Sequence, residues 1–314
     1  MPASAPAPAT PPPLTWAMRL RMTRPGFLLL TVAACLLGLA WASAGPTGGA
    51  LQPLTALATV LLAVVAHAGA NVLNDYHDAR NGADAANRQG LFPFSGGSRL
   101  IQQGLVSVRT TGRWAAVLLW CLVPTGIGLA LYSGSGVLGI GLIGLLLAWG
   151  YSAPPLALMS RGLGELAVGA AWWLVVLGTY YVQRGQWQLE PAFSTLGFGL
   201  LVVNLLLING VPDAPADASV GKRTLVVRLG ARRAAWLYLA LALLAHAWLG
   251  LGVLLQLAPA RALWGLVTLP LALGAALLLL RHAEQAQRLR PAIGLTILSA
   301  IGHALAQGAG LVWG

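Results

Sequence analysis

Long unbroken apolar runs, not a polar–apolar alternation, dominate this chain. Nine of them, at roughly 26–44, 51–73, 114–132, 136–152, 163–183, 192–210, 234–257, 262–280 and 292–313, approach the ~20 residues that carry a helix across a bilayer. The run at 136–152 is the shortest. Continuous apolar character without period two favours membrane helices over a membrane barrel. The expected fold is therefore all-α: a polytopic membrane protein, a bundle of about nine transmembrane helices. Residues 1–13, nearly all Pro and Ala, read as a disordered tail ahead of one helical domain over 14–314.

Composition agrees. A chain of 314 residues that is 57% hydrophobic and 9% charged has too little polar surface to cover a soluble globule, so its exterior must face lipid. The net charge of +11 suggests an anionic partner until its distribution is examined. With nine spans, every Lys and Arg except Arg184 and Arg261 falls on the side of the amino terminus. The positive-inside rule makes that side cytoplasmic. Such segregation by membrane side is not a groove-binding stripe, and nothing points to nucleic acid. Arg19, Arg21 and Arg24, the apolar run from Phe27 and Ala42-Ser43-Ala44 imitate a cleavable secretory signal. The charge segregation works with this run retained as the first span. Cys35 and Cys121 lie in apolar runs with neither disulfide nor metal spacing, and read as packing residues.

Eight acids are present, and five of them cluster at the ends of two apolar runs. The second run leads into Asn71-Val-Leu-Asn74-Asp75-Tyr-His77-Asp78, then Gly82 and Asp84. If its helix continues that far, Asn71, Asn74, Asp75 and Asp78 share one face, while His77 points off it. The sixth run ends in Asn209, Asp213 and Asp217, followed by Gly221-Lys222-Arg223-Thr224. Their spacing would align them on a helix, but Pro212 and Pro215 each remove a backbone donor and suggest a broken helix lining a cavity. Carboxylates at a membrane boundary need solvent, a partner or a cation, which marks both stretches as a candidate site.

Hard oxygen donors without a Cys or His cluster suit Mg²⁺, which commonly joins carboxylates to substrate phosphates. A diphosphate at a membrane surface most simply belongs to a lipid, and an allylic prenyl diphosphate fits best. Metal and Arg/Lys stabilise the departing diphosphate while the tail stays in the bilayer. Phe94-Ser-Gly-Gly-Ser-Arg99 offers backbone N–H groups beside an arginine, suited to phosphate oxygens, or else is a plain Gly-Gly turn. Lys222 and Arg223 read either as phosphate clamps or as positive-inside charges. Arg161 and Glu165, four apart, read either as a helix-start pair or as part of the site. His67, His246 and His303 lie in apolar runs and read as packed or hydrogen-bonded.

These stretches resemble the UbiA-type intramembrane prenyltransferases over nearly the whole chain after the tail. Asn74-Asp75-x-x-Asp78 with Asp84 is similar to the family's first aspartate-rich motif, and Asp213-x-x-x-Asp217 to its second. The stretch 74–84, Arg161-Gly-Leu-Gly-Glu165 and Gly221-Lys-Arg-Thr-Leu-Val-Val-Arg-Leu-Gly230 resemble the branch that prenylates 1,4-dihydroxy-2-naphthoate for menaquinone. The resemblance implies a helical bundle around a central cavity, in the inner membrane of a bacterial cell. It implies Mg²⁺-diphosphate held at the cytoplasmic end and transfer of a polyprenyl group to an aromatic acceptor. By position, Asn74, Asp75, Asp78, Asp213 and Asp217 would hold metal, with Asn71, Asp84 and Asn209 in support. Arg88, Arg99, Lys222 and Arg223 are candidates for diphosphate contact, and Tyr151, Arg161 and Glu165 for shaping the acceptor end. The chain departs from the branch at Pro212, where a basic residue is usual, at Pro215 and in the 94–99 loop. The competing acceptors are 4-hydroxybenzoate, a chlorophyll-type alcohol, haem or another phenol. A cation- or proton-coupled transporter is the reading from a different class.

Overall fold

A computed structural model describes residues 13–44, 48–88 and 90–313. The expected Pro/Ala tail therefore lies outside the described residues, except for its last one. Among those described the chain is helical throughout, with no strand. In order the helices are α1 (Trp16–Met22), α2 (Pro25–Ala44), α3 (Pro53–Asn81), α4 (Ala83–Ala86), α5 (Val108–Trp120), α6 (Leu122–Ser133) and α7 (Gly136–Ser152). They continue as α8 (Gly164–Arg184), α9 (Leu189–Ser194), α10 (Leu196–Ser219), α11 (Leu225–Leu229), α12 (Ala231–Leu254), α13 (Leu269–His282) and α14 (Arg290–Trp313). Eight stretches are long and apolar enough to cross a membrane, and α7, at 17 residues, is a shorter apolar helix between them. Together they match the nine apolar runs. The third run is a pair, α5 and α6, and the eighth combines a 3₁₀ segment at Ala260–Thr268 with α13.

The stretch α9–α10 is the most buried, with 72% of its apolar window covered against 17% for α5–α6. α10 packs on α8, α12 and α14, while α2 packs on α3, α8 and α14. A core of Leu30, Leu37, Trp41, Val176, Phe198, Leu201, Leu249 and Ala304 fills the space between them. The segment that imitates a secretory signal is thus an integral helix whose Trp41 is fully buried. Helices without a hydrophobic drive between them associate through small residues that let backbones approach. Gly38 shows this: a Cβ there would lie 2.5 Å from the Val176 carbonyl oxygen and 2.8 Å from Thr179 Cβ. Large apolar side chains left exposed, such as Leu54, Trp120, Leu131 and Leu254, cover the outside.

α3 runs on to Asn81, so the first acidic stretch is helical, as the shared face of Asn71, Asn74, Asp75 and Asp78 requires, and stops only where Gly82 takes a left-handed φ of 85°. One feature corrects the sequence reading: α10 runs unbroken through Pro212 and Pro215, where an interruption was expected. Proline's fixed φ is compatible with a helix, and the packing of buried Val211 and Pro212 holds the segment in line although two backbone donors are missing.

The close α2–α8 approach makes a specific prediction. Gly38→Ala overpacks and should lower stability by about 1–3 kcal/mol. Gly26→Ala, at an exposed helical position with nothing within 4 Å of the new methyl, should instead gain about 0.5–1 kcal/mol. Thermal unfolding of the two purified variants in detergent reads the difference.

Candidate active site

The end of α3 presents Asn71, Asn74, Asp75 and Asp78 on one face, and Asp75 and Asp78 are buried. Asn71 Nδ2 donates to the Thr23 carbonyl at 2.9 Å, which fixes the chain just before α2 against α3. Arg24 follows at once. Its guanidinium bonds the Asn74 amide oxygen at 2.9 Å and forms an ion pair with Asp75. Asn74 Nδ2 in turn donates to Asp78 Oδ2 at 3.0 Å. The turn at Gly82 folds α4 back so that Asp84 is also buried beside the group.

The end of α10 supplies the other half. Because the helix is continuous, Asn209, Asp213 and Asp217 stand one turn apart on one side. Lys222 follows the helix and lies between the halves, its Nζ 3.0 Å from Asp78 and 2.9 Å from Asp217. Burial works against the Lys222 ammonium, but the two carboxylates outweigh it and hold its pKa above the ordinary lysine value. Asp213 accepts from Asn87 Nδ2 at 2.6 Å and from the Gly96 N–H at 3.0 Å. The Ser98 N–H donates to Asp75 Oδ2 at 3.1 Å. The Gly-Gly loop thus lies directly on the carboxylates, and its backbone donors are used there. Only glycine fits: at Gly97, with φ 75°, a Cβ would be 2.9 Å from Asp75 Oδ1.

Both halves border an apolar cavity of about 410 Å³ that runs between α3, α6, α7, α8 and α10. Arg24, Asn71, Asn74, Asp78, Asp84, Asn209, Asp213, Asp217 and Lys222 line its polar end, with Asp75 behind them on Arg24. Leu62, Ile140, Gly141, Val175 and Val182 are among its apolar walls. Tyr151 and Glu165 line it as well. Arg88, Arg99, Arg161 and Arg223 do not. Arg88 and Arg223 are exposed. Arg99 bonds the Asp84 carbonyl and covers the Phe92 ring at 4.8 Å. Arg161 donates to the Pro155 carbonyl at 2.5 Å and forms no pair with Glu165, because the left-handed Gly162 separates its 3₁₀ turn from α8. His67 bonds Thr31 and stands edge-on to Trp172, while His246 and His303 bond Thr268, Ala242 and Gly265; all three pack as expected.

Arg24 was missed as a site residue and was read only as a flanking charge. It stands 51 residues before Asp75, and no local pattern joins them. Asn87 was missed for the same reason. The donor set consists of hard oxygens, and Asn209 Oδ1 is buried with no hydrogen-bond partner. Among the described residues no three His, Cys, Asp or Glu side chains converge as they would on a metal. Lys222 sits between the Asp78 and Asp217 carboxylates, and Arg24 between Asp75 and the Asn74 amide oxygen.

Residues 28–301 match the model of the UbiA prenyltransferase family. The chain belongs to that family. It is a prenyltransferase built of membrane-spanning helices. It is 34% identical over 263 residues to the 1,4-dihydroxy-2-naphthoate octaprenyltransferase of Mycobacterium tuberculosis, covering 82% of this chain and 85% of that one. It is 33% identical over 219 residues to the protein of the same description from Haemophilus influenzae, covering 66% and 68%. A solved UbiA homolog from Archaeoglobus fulgidus bound to GPP and Mg²⁺ superposes with a TM-score of 0.62 at 17% identity, over 93% of this chain and 99% of that one, and shares the fold.

One carboxyl gives the site a pH signature. Burial, then the charges of Asp78 and Asp75, push Asp84 up to about 8 from an ordinary 3.8. A folded-state pKa above the unfolded one means that the folded chain holds the extra proton between these values, so this group's contribution to stability falls as pH rises from 3.8 to about 8. In EDTA, Asp84→Asn should melt at a higher temperature than the parent at pH 8. The gap should close toward pH 4, as followed by thermal scans across that range.

Proposed function

We propose that this chain transfers a polyprenyl group from an allylic prenyl diphosphate to 1,4-dihydroxy-2-naphthoate, with Mg²⁺, at the cytoplasmic face of a bacterial inner membrane. The observation that carries this reading is the meeting of the α3 and α10 acid clusters, with Arg24 and Lys222, at the polar end of an apolar cavity. The naphthoate as acceptor is supported by the names of the relatives and by the Arg161–Glu165 and Gly221–Gly230 stretches. The orientation is supported by the segregation of basic residues.

The oxygens fit the metal. Asn74, Asp75, Asp78 and Asp84 from one side, and Asp213 and Asp217 from the other, would hold it, with Asn209 offering its unpartnered oxygen. Bound there, Mg²⁺ would supply positive charge against the departing diphosphate. Arg24 and Lys222 already neutralise these carboxylates, and both can exchange them for diphosphate oxygens, since either anion satisfies a buried cation. Asn71 holds the Thr23 carbonyl and so keeps Arg24 in place. The apolar walls take the prenyl tail and keep water from the allylic cation. Tyr151 can turn its electron-rich ring toward that cation. The acceptor then lies on the Tyr151–Glu165 side. Arg88, Arg99, Arg161 and Arg223 are given no substrate contact in this reading; Arg99 braces Asp84.

The test is turnover by the purified protein in lipid with Mg²⁺, a polyprenyl diphosphate and either 1,4-dihydroxy-2-naphthoate or 4-hydroxybenzoate. Prenylated naphthoate should form, disappear with EDTA and fall by at least about 100-fold in Asp75→Ala and Asp213→Ala. Prenylated benzoate alone would reassign the acceptor, and no product from either by the folded protein would refute the reading.

A further inference from the structure

Every acid of the two aspartate clusters has a compensating neighbour. Asp75 has Arg24, Asp78 and Asp217 share Lys222, and Asp213 is held by Asn87 and Gly96. Asp84 accepts from Gln102 and lies in the field of Arg24 and Arg99. Glu165 differs. It is only 5% exposed, yet among the described residues it pairs with no cation, and its carboxylate accepts from its own backbone N–H. Arg161, the cation four residues before it, is turned away onto Pro155.

Glu165 stands in the first turn of α8 and lines the cavity next to Tyr151 and Met159. Gly164 brings these together: a Cβ there would lie 3.0 Å from Met159 Cα and 3.3 Å from the Tyr151 ring. Met159 Sδ in turn accepts from Asn74 Nδ2 at 3.3 Å. Met159 thus touches both the first turn of α8, at Gly164, and the aspartate cluster, at Asn74, and Glu165 faces the same cavity. Burying a carboxylate without a partner costs several kcal/mol unless a ligand completes it.

We propose that Glu165 is the catalytic base, the group that takes the hydroxyl proton of the aromatic acceptor during prenyl transfer. This rests on the transfer reading above. As the ring carbon beside the hydroxyl bonds C1 of the prenyl group, the C1–O bond breaks and the diphosphate leaves with its electron pair. The hydroxyl proton passes to Glu165, and the oxygen becomes a ring carbonyl. Where the alkylated carbon carries a carboxylate, CO₂ leaves, its bonding pair restores the enolate, and that oxygen regains the proton from Glu165. The ring is aromatic again and the base is regenerated. A positioned base of this kind is worth about 10²–10⁴ in rate.

The test compares wild type with Glu165→Gln, in lipid with Mg²⁺ and a polyprenyl diphosphate, across 1,4-dihydroxy-2-naphthoate and ring-fluorinated analogues of rising hydroxyl acidity. Binding of the unreactive prenyl thiolodiphosphate is measured alongside. Glu165→Gln should lose about 10²–10⁴ in kcat on the parent naphthoate, bind the thiolodiphosphate as wild type does, and recover progressively as the hydroxyl becomes more acidic. A loss of the same size across the series, a loss confined to thiolodiphosphate binding, or full activity in Glu165→Gln would overturn the assignment while leaving the transfer reading intact. No product from wild type with any of these acceptors would overturn that reading, and the base with it.

Discussion

Four buried carboxyl groups and the half-buried Asp213, at one end of an apolar bundle, set the terms for everything around them. Each buried ion costs several kcal/mol when left unpaired, so the chain must bring cations and N–H donors to them. Arg24 comes from the segment before α2, Lys222 from the segment after α10, and Gly96 and Ser98 from the loop between α4 and α5. These contacts tie the first, second and sixth spans together at the same point. They also leave the acids compensated by groups that have an affinity for phosphate. The interactions that stabilise the resting site are thus those that an anionic substrate with its metal can replace without leaving a charge unpaired.

Much of this was legible in the sequence. Span number followed from apolar runs because lipid demands an apolar face and internal backbone hydrogen bonds, and only a helix of about 20 residues meets both needs. The convergence of Asn74, Asp75, Asp78, Asp213 and Asp217 followed from helical spacing and from the charge segregation, which places both acidic ends on one side. What stayed hidden depended on contacts across the chain. Arg24 looked like any flanking arginine, since its partner on α3 is set by how α2 packs beside α3. Arg161 and Glu165 have the spacing of a helical pair, but the backbone between them is not helical. Pro212 and Pro215 carry a strong local signal for a break, and the tertiary packing of α10 overrides it.

The cavity follows from unequal burial of the spans. α2, α8 and α10 are clasped by neighbours on several sides, whereas α3, α5–α6 and α7 form a looser wall with more of their length turned outward. Small residues belong to both regions but act differently. Gly38 and Gly197 let backbones touch, each with a carbonyl oxygen 2.5 Å from a would-be Cβ. Gly126, Gly141 and Gly144 line the cavity with nothing within 4 Å, so they make room for a ligand.

The shortness of α7 reaches beyond the protein. Seventeen residues of helix rise only about 25 Å, against roughly 30 Å of hydrocarbon in a typical bilayer. α7 also walls the cavity and carries Tyr151 near its end. Lipid beside this helix must therefore thin to meet it, or flanking groups must reach outward. Acyl-chain length and lipid order thus bear directly on one wall of the cavity, and the bilayer is a mechanical component of the enzyme as well as its solvent.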